Sequence, residues 1–169
     1  ILVSLLVISP YIIRNYLIFD KIIIHSSFGF NLWKGNNQNS KVEGSDMVIN
    51  ELKSKINNVT KDKFYRINED KIYVNEAINN IKEDPARYLI LYLKRTVSYF
   101  FIDIDSTYPN YYHPIHYLPI LVISITSLIG AVLSDKKSYR LNYIILIVLF
   151  YIFVFSFFAI LPRYKLYII

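Results

Sequence analysis

The chain has 169 residues, of which 54% are hydrophobic and 17% aromatic, and its formal net charge at pH 7 is +6. It contains no cysteine, which excludes disulfides, thiolate metal sites and thiol nucleophiles. The 19 lysines and arginines are interspersed with 13 acidic residues, and no basic stripe of the kind that binds nucleic acid emerges. The high hydrophobic content instead predicts membrane segments joined by a polar insert.

The opening apolar run lacks the basic region and the cleavage site of a signal peptide. Residues 1–13 are therefore predicted to be the end of a transmembrane helix. Pro10 would disrupt the helix near its exit, and Arg14 and Tyr16 would anchor it at the interface. Because the chain begins and stops inside apolar runs, we expect it to be a piece of a longer protein.

A polar stretch over residues 14–115 is predicted to be a loop domain outside the cytoplasm. Within it, residues 20–45 hold three of the four glycines and an asparagine-rich run, a composition that favours turns over a helix. Amphipathic helices are predicted near 46–57, 70–84 and 85–101 from the spacing of their apolar residues.

The last of these helices has a clear start signal in Asp84 and Pro85, since Asp is a good N-cap and Pro fits the first helical position. Its apolar stripe either packs against the rest of the loop domain or lies along a membrane surface. We favour the surface, because an apolar segment follows soon after in the chain.

Two nearly uncharged runs, 116–133 and 141–161, have about the ~20 residues that a helix needs to cross the hydrocarbon core. The connector at 134–140 is rich in Lys and Arg, and the positive-inside rule places it in the cytoplasm. Residues 162–169 would then begin an outer turn and the next membrane segment. The predicted fold class is an all-α polytopic membrane protein with an extracytoplasmic, mainly helical loop domain.

This topology predicts an integral membrane location with the long loop outside the cytoplasm. The bias towards Asn, Lys, Ile and Tyr indicates an AT-rich genome, so the expected location is the bacterial inner (plasma) membrane. A formal N-glycosylation triplet begins at Asn58, but it matters only in a eukaryotic cell.

Few side chains suggest chemistry by their spacing alone. Asp103 and Asp105 form a pair in which two carboxylates could share a divalent cation, but such pairs are common without metal. They are weak candidates, and we predict no metal site. His113 and His116 lack a third ligand for zinc. His25 precedes two serines, but no G-x-S-x-G motif of a serine nucleophile is present.

Four passages are similar to motifs of one enzyme family. They are PYIIRNY at 10–16, SSFGFNLWKGNN at 26–37, DPARY at 84–88 together with Glu76, Ala77 and Lys94, and PRYKL at 162–166. In this order they resemble bacterial membrane glycosyltransferases of the GT-C fold, which include the protein O-mannosyltransferases and the aminoarabinose transferase. The match would make this chain the C-terminal portion of such an enzyme.

The resemblance implies transfer of a sugar from a polyprenyl-phosphate carrier to an extracytoplasmic acceptor. The donor would be a polyprenyl-phosphate sugar, and the partners would be the lipid bilayer, this lipid-linked donor and a glycan, lipid or protein acceptor. A divalent metal in the full-length protein stays open. The family's catalytic carboxylates lie nearer the N-terminus than this window, so no residue here is assigned as catalytic and the chain alone is predicted to be inactive.

The resemblance also indicates a substrate-binding set. Arg14 and Arg163 follow apolar runs, where guanidinium groups could bind the carrier phosphate bidentately. Anchoring at a membrane interface would explain the same residues without a ligand. The full set is Arg14, Asn15, Tyr16, Asn31, Trp33, Asn36, Asn37, Arg163 and Tyr164.

Other classes of protein remain open at this point. A non-enzymatic or transport-type membrane protein would use the loop as a binding or packing module. An O-antigen ligase or polymerase also carries a long outer loop. The chain departs from the family pattern at Tyr11, where Trp is usual, and at Tyr167, where Pro is usual.

Overall fold

The structure is a computed structural model that describes residues 2–23, 27–103, 106, 111–134 and 139–159. Over these residues the chain forms seven α-helices and no β-strand. The helices are α1 (Leu2–Phe19), α2 (Phe28–Asn36), α3 (Asn50–Asn57), α4 (Tyr65–Glu83), α5 (Pro85–Phe100), α6 (Pro114–Leu133) and α7 (Tyr139–Phe155).

Helix α2 lies inside the stretch for which the sequence predicts turns rather than a helix, so that prediction is wrong. The prediction took two glycines as turn residues, whereas both lie in the helix where it packs closely against its neighbours. A Cβ at Gly29 would lie 2.8 Å from Val74 Cγ2 of α4, and one at Gly35 would lie 2.8 Å from the backbone nitrogen of Ala159. The glycines therefore let α2 approach two neighbours that any side chain would push away.

Helix α2 packs on α4 through aromatic rings. The ring centroid of Tyr73 lies 5.2 Å from those of Phe30 and Trp33. Leu52 of α3 and Ala77 of α4 are fully buried in the same cluster. The N-terminus of α2 is tied to α4 as well, since the Asp70 carboxylate accepts hydrogen bonds from the backbone N–H groups of Gly29 (2.8 Å) and Phe30 (3.2 Å).

A second buried cluster joins α5 to α7. Tyr88, Leu91 and Tyr99 of α5 pack with Ile152 of α7 and with Val42 from the loop after α2. Helix α5 begins where the sequence predicts its start, with Pro85 in the first turn. The Asp84 carboxylate accepts a hydrogen bond of 3.1 Å from the Arg87 backbone N–H.

Among the described residues, no helix combines the length and the apolar character that crossing a membrane requires. The predicted polytopic membrane fold, with membrane segments at 1–13, 116–133 and 141–161, is therefore wrong. The same finding contradicts the predicted transmembrane helices and the membrane fold expected from the resemblance. It also contradicts the predicted integral location in the inner membrane.

The three helices at these positions differ from the predicted spans in visible ways. Helix α1 continues past residue 13 and contains Arg14 and Asn15. Helix α6 contains Pro119 within its 20 residues, and α7 ends at Phe155 after about 26 Å, against ~30 Å for a hydrocarbon core. Many of their apolar side chains are nevertheless exposed, such as Val7 and Val132, at 74% each.

Two glycine substitutions test the close contact between α2 and α4. Gly29→Ala should lower the free energy of unfolding by about 1–3 kcal/mol, because its Cβ would collide with the Asp70 carbonyl and Val74. Gly130→Ala in α6 is the matched control, since no atom lies within 4 Å of its Cβ. It should raise stability by about 0.5–1 kcal/mol through helix propensity. Urea unfolding followed by circular dichroism measures both, and shifts of the same sign would contradict the packing argument.

Candidate functional site

A buried arginine organises the loop that follows α2. Arg95 is 1% exposed, and its guanidinium donates hydrogen bonds to the carbonyl oxygens of Gly35, Lys41 (3.0 Å) and Val42 (3.3 Å). Burial lowers the pKa of Arg95 to about 9, which still leaves the side chain charged at neutral pH. We call residues 36–45, which this arginine holds, the Asn-rich loop.

A second arginine binds the same loop from its outer side. Arg87 Nη2 donates hydrogen bonds to the carbonyl oxygens of Gln38 (2.7 Å) and Ser40 (3.2 Å). Its guanidinium also lies 4.9 Å from the centroid of the Tyr88 ring. The backbone of the Asn-rich loop is thus held by two arginines of α5 whose spacing, eight residues, places them on similar sides of the helix.

Trp33, Asn36 and Asn37 of the motif at 26–37 are turned towards the protein. Asn36 Nδ2 donates to the carbonyls of Leu32 (2.8 Å) and Phe157 (2.7 Å). Asn37 Nδ2 donates to the carbonyls of Trp33 (3.3 Å) and Ser45 (2.6 Å). These asparagines are each 4% exposed and Trp33 is 2% exposed. In this structure they hold the backbone, and their role in substrate binding stays a prediction.

Among the described residues, the polar contacts of the other predicted binding residues are local. In α1, Arg14 is exposed and its Nη1 donates to Asn15 Oδ1 at 3.4 Å, while Asn15 is buried and donates to the Ile23 carbonyl at 2.7 Å. Tyr16 is 54% exposed, and Asn31 Nδ2 donates to the Ser27 carbonyl. Arg163 and Tyr164, the last two members of the set, lie outside the described residues.

An open groove runs along α5 where its exposed apolar stripe borders its buried face. It has a volume of about 490 Å³, within the range of ligand pockets. Apolar side chains form most of its wall, and three polar residues lie among them. The lining residues are Val42, Ile90, Leu93, Lys94, Val97, Ser98, Ile102 and Asp103. We call this the α5 groove.

Two polar residues of the α5 groove are buried. Ser98 is 2% exposed, and its hydroxyl has no hydrogen-bond partner among the described residues. Asp103 is 5% exposed, and its backbone N–H donates to the Tyr111 hydroxyl at 3.0 Å. Burial raises the pKa of Tyr111, so this phenol stays protonated at neutral pH.

Only one of the two weak metal candidates lies among the described residues. Asp103 lines the α5 groove, but Asp105 lies outside the described residues. The described part of the chain contains no group of three or more His, Asp or Glu side chains that could hold a metal ion. Of the two histidines weighed for zinc, His113 accepts a hydrogen bond from the Ile115 N–H at the start of α6.

The sequence identifies the apolar stripe of α5 but leaves its environment open. Leu89, Ile90, Leu93 and Val97 are each more than half exposed, so the stripe does not pack on the rest of the described chain. The buried side of the helix is the one that carries Arg95.

Comparison of this chain with models of protein families, with curated proteins and with solved structures finds no match. The similarity to glycosyltransferase motifs therefore stays a prediction from the sequence.

The role of Arg95 can be tested by exchanging cations. Arg95→Lys should lower the free energy of unfolding by about 2–3 kcal/mol, because an ammonium group cannot reach three carbonyls and leaves buried acceptors unsatisfied. Arg66→Lys is the control, since Arg66 is 76% exposed and should change stability by less than about 0.5 kcal/mol. Urea unfolding followed by tryptophan emission gives both values, and equal effects would show that Arg95 does not hold the loop.

Proposed function

We propose that this chain binds a polyprenyl-phosphate-linked sugar in the α5 groove and takes part in transferring that sugar to an acceptor. The single observation that carries the proposal is the composition of the groove. A mostly apolar wall is combined there with a lysine and with a buried hydroxyl that lacks a partner among the described residues. A ligand with a long hydrocarbon tail and an anionic head has the same two parts.

The apolar wall suits the prenyl tail. Ile90, Leu93 and Val97 follow one another along α5 and are 53–56% exposed, so each has apolar surface left to bury. Burial stabilises by roughly 25 cal/mol per Å² of apolar surface, which makes contact with a hydrocarbon chain favourable. The groove is also open along its side, as a ligand much longer than the groove requires.

The polar residues suit the phosphate. Lys94 can supply an ammonium charge, and the Ser98 hydroxyl can donate a hydrogen bond to a phosphate oxygen. The Asp103 carboxylate disfavours phosphate binding in the groove, because the two negative charges repel each other. Its charge is partly balanced by the Arg95 guanidinium, since the two groups interact electrostatically. A metal bridge would need further ligands, and the described residues offer only Asp103 here.

The proposal assigns binding, not bond cleavage, to the described residues. Sugar transfer requires carboxylates placed on either side of the glycosidic bond, or an equivalent base and acid. The α5 groove has one carboxylate, Asp103, and it is buried. We therefore expect the isolated chain to bind the carrier without turning it over, as the similarity to the family also implies.

Binding of farnesyl phosphate, measured by isothermal titration calorimetry, tests the proposal. We expect saturable binding that is at least tenfold tighter than that of farnesol or inorganic phosphate, because only the phosphate ester engages both parts of the groove. A factor of ten corresponds to about 1.4 kcal/mol. Equal affinity for farnesol and farnesyl phosphate would contradict the proposal that the groove binds the phosphate group.

Two pairs of variants locate the site. Lys94→Gln and Leu93→Asn should each weaken farnesyl phosphate binding about fivefold to tenfold, by loss of charge and of apolar contact respectively. Lys82→Gln and Leu89→Asn are matched controls, because Lys82 and Leu89 are exposed and do not line the groove. If the control variants lose as much affinity as the groove variants, the ligand binds elsewhere.

A further inference from the structure

A second cleft, distinct in its residues from the α5 groove, lies where the N-terminus of α2 meets α4. Its volume is about 500 Å³, and polar surface predominates in its lining. Ser27, Phe30, Arg66, Glu69, Asp70 and Tyr73 form the walls. We call this the α2–α4 cleft.

Both carboxylates of the α2–α4 cleft already have a compensating partner. Glu69 pairs with Arg66 at 3.3 Å. Asp70 Oδ1 accepts two backbone N–H groups at the N-terminus of α2, where the helix dipole favours negative charge. The cleft is therefore rich in hydrogen-bonding groups without a strong demand for a cation.

Several of these groups retain bonding capacity. Asp70 Oδ2 accepts no hydrogen bond from the described residues, and the Tyr73 hydroxyl makes none with them. Burial and the charge of Glu69 raise the pKa of Tyr73, so its phenol stays a donor at neutral pH. A carboxylate oxygen and a phenol on one helix, three residues apart, can bind neighbouring hydroxyl groups of a ligand.

The cleft also offers aromatic surface. Phe30 is half-buried and meets Tyr73 edge to face, at 5.2 Å between centroids and 82° between planes. The electron-rich face of such a ring attracts the weakly positive C–H groups of a sugar ring. Aromatic faces next to carboxylate and guanidinium groups suit a neutral polyhydroxyl ring better than a phosphate or a fatty chain.

We propose that the α2–α4 cleft binds a neutral hexopyranose. Resting on the proposed function, this places the acceptor sugar at α2 and α4 and the carrier lipid at α5. The carboxylates accept hydrogen bonds from hydroxyl groups, the Tyr73 phenol donates one, and the Phe30 ring contacts the C–H face of the sugar.

The single tryptophan provides a built-in reporter for the test. Trp33 is buried, and its ring lies 5.2 Å from that of Tyr73 and 6.0 Å from that of Phe30, both of which line the cleft. Titration with the methyl glycosides of glucose, galactose and mannose should give, for at least one, a saturable change in Trp33 emission with Kd on the order of 1 mM. Saturation-transfer NMR on the same sugars supplies a second readout that does not depend on Trp33.

Conservative variants link this signal to the cleft. Tyr73→Phe keeps the ring and removes only the hydroxyl, so it should weaken sugar binding about fivefold or more while the chain stays folded. Tyr65→Phe removes a phenol from the same helix outside the cleft and should leave the affinity unchanged. Absence of saturable binding to all three sugars, or equal binding by Tyr73→Phe and the unchanged chain, would overturn the proposal. Competition by tetramethylammonium chloride would do so as well, by indicating a cation site.

A further titration separates an acceptor sugar from the sugar of the donor. Farnesyl phosphate and farnesyl phosphate mannose should both leave methyl glycoside binding in the α2–α4 cleft unchanged. Displacement by the sugar-bearing lipid but not by the bare lipid would overturn the acceptor assignment. The outcome is independent of the α5 groove, since calorimetry with farnesyl phosphate alone reports on that site.

Discussion

The fold around the α5 groove depends on one buried cation. Arg95 has no carboxylate within ion-pair distance among the described residues, and its charge is instead stabilised by the carbonyl dipoles of Gly35, Lys41 and Val42. Moving an arginine out of water is costly unless every donor finds an acceptor. The loop must therefore adopt a conformation that aims its carbonyls inward, and Val42 is thereby carried into the core beside α5. The wall of the α5 groove follows from this arrangement.

Sequence reasoning succeeded where the signal was local. Asp84 and Pro85 mark the start of α5 because a cap and a fixed φ act within one turn of the chain. It failed for α2, because Gly29 and Gly35 look like turn residues until their neighbours at Val74 and Ala159 are known. It also failed for the membrane segments, since counting apolar residues does not show that α1 continues to Phe19 or that α7 ends at Phe155.

The candidate sites show a similar limit. The asparagines of the motif at 26–37 stand out in the sequence, but composition cannot tell whether an amide binds a ligand or a backbone carbonyl. Neither cleft could be predicted, because each joins distant parts of the chain: Val42 with residues 90–103 in one, and Ser27 with residues 66–73 in the other. Ser98 and Tyr73 become notable only when those parts meet.

The amide of Asn36 has a consequence for how the chain is made. It binds the carbonyl of Phe157, 121 residues further on, at the point where Gly35 touches Phe158 and Ala159. During synthesis, the C-terminal end of α2 must therefore wait for nearly all of the described chain to emerge before its contacts are complete. Contacts of such sequence separation slow folding and leave the early segments exposed meanwhile. A ribosome-bound chain that stops before residue 157 should consequently display the Asn36 amide to solvent or to a chaperone.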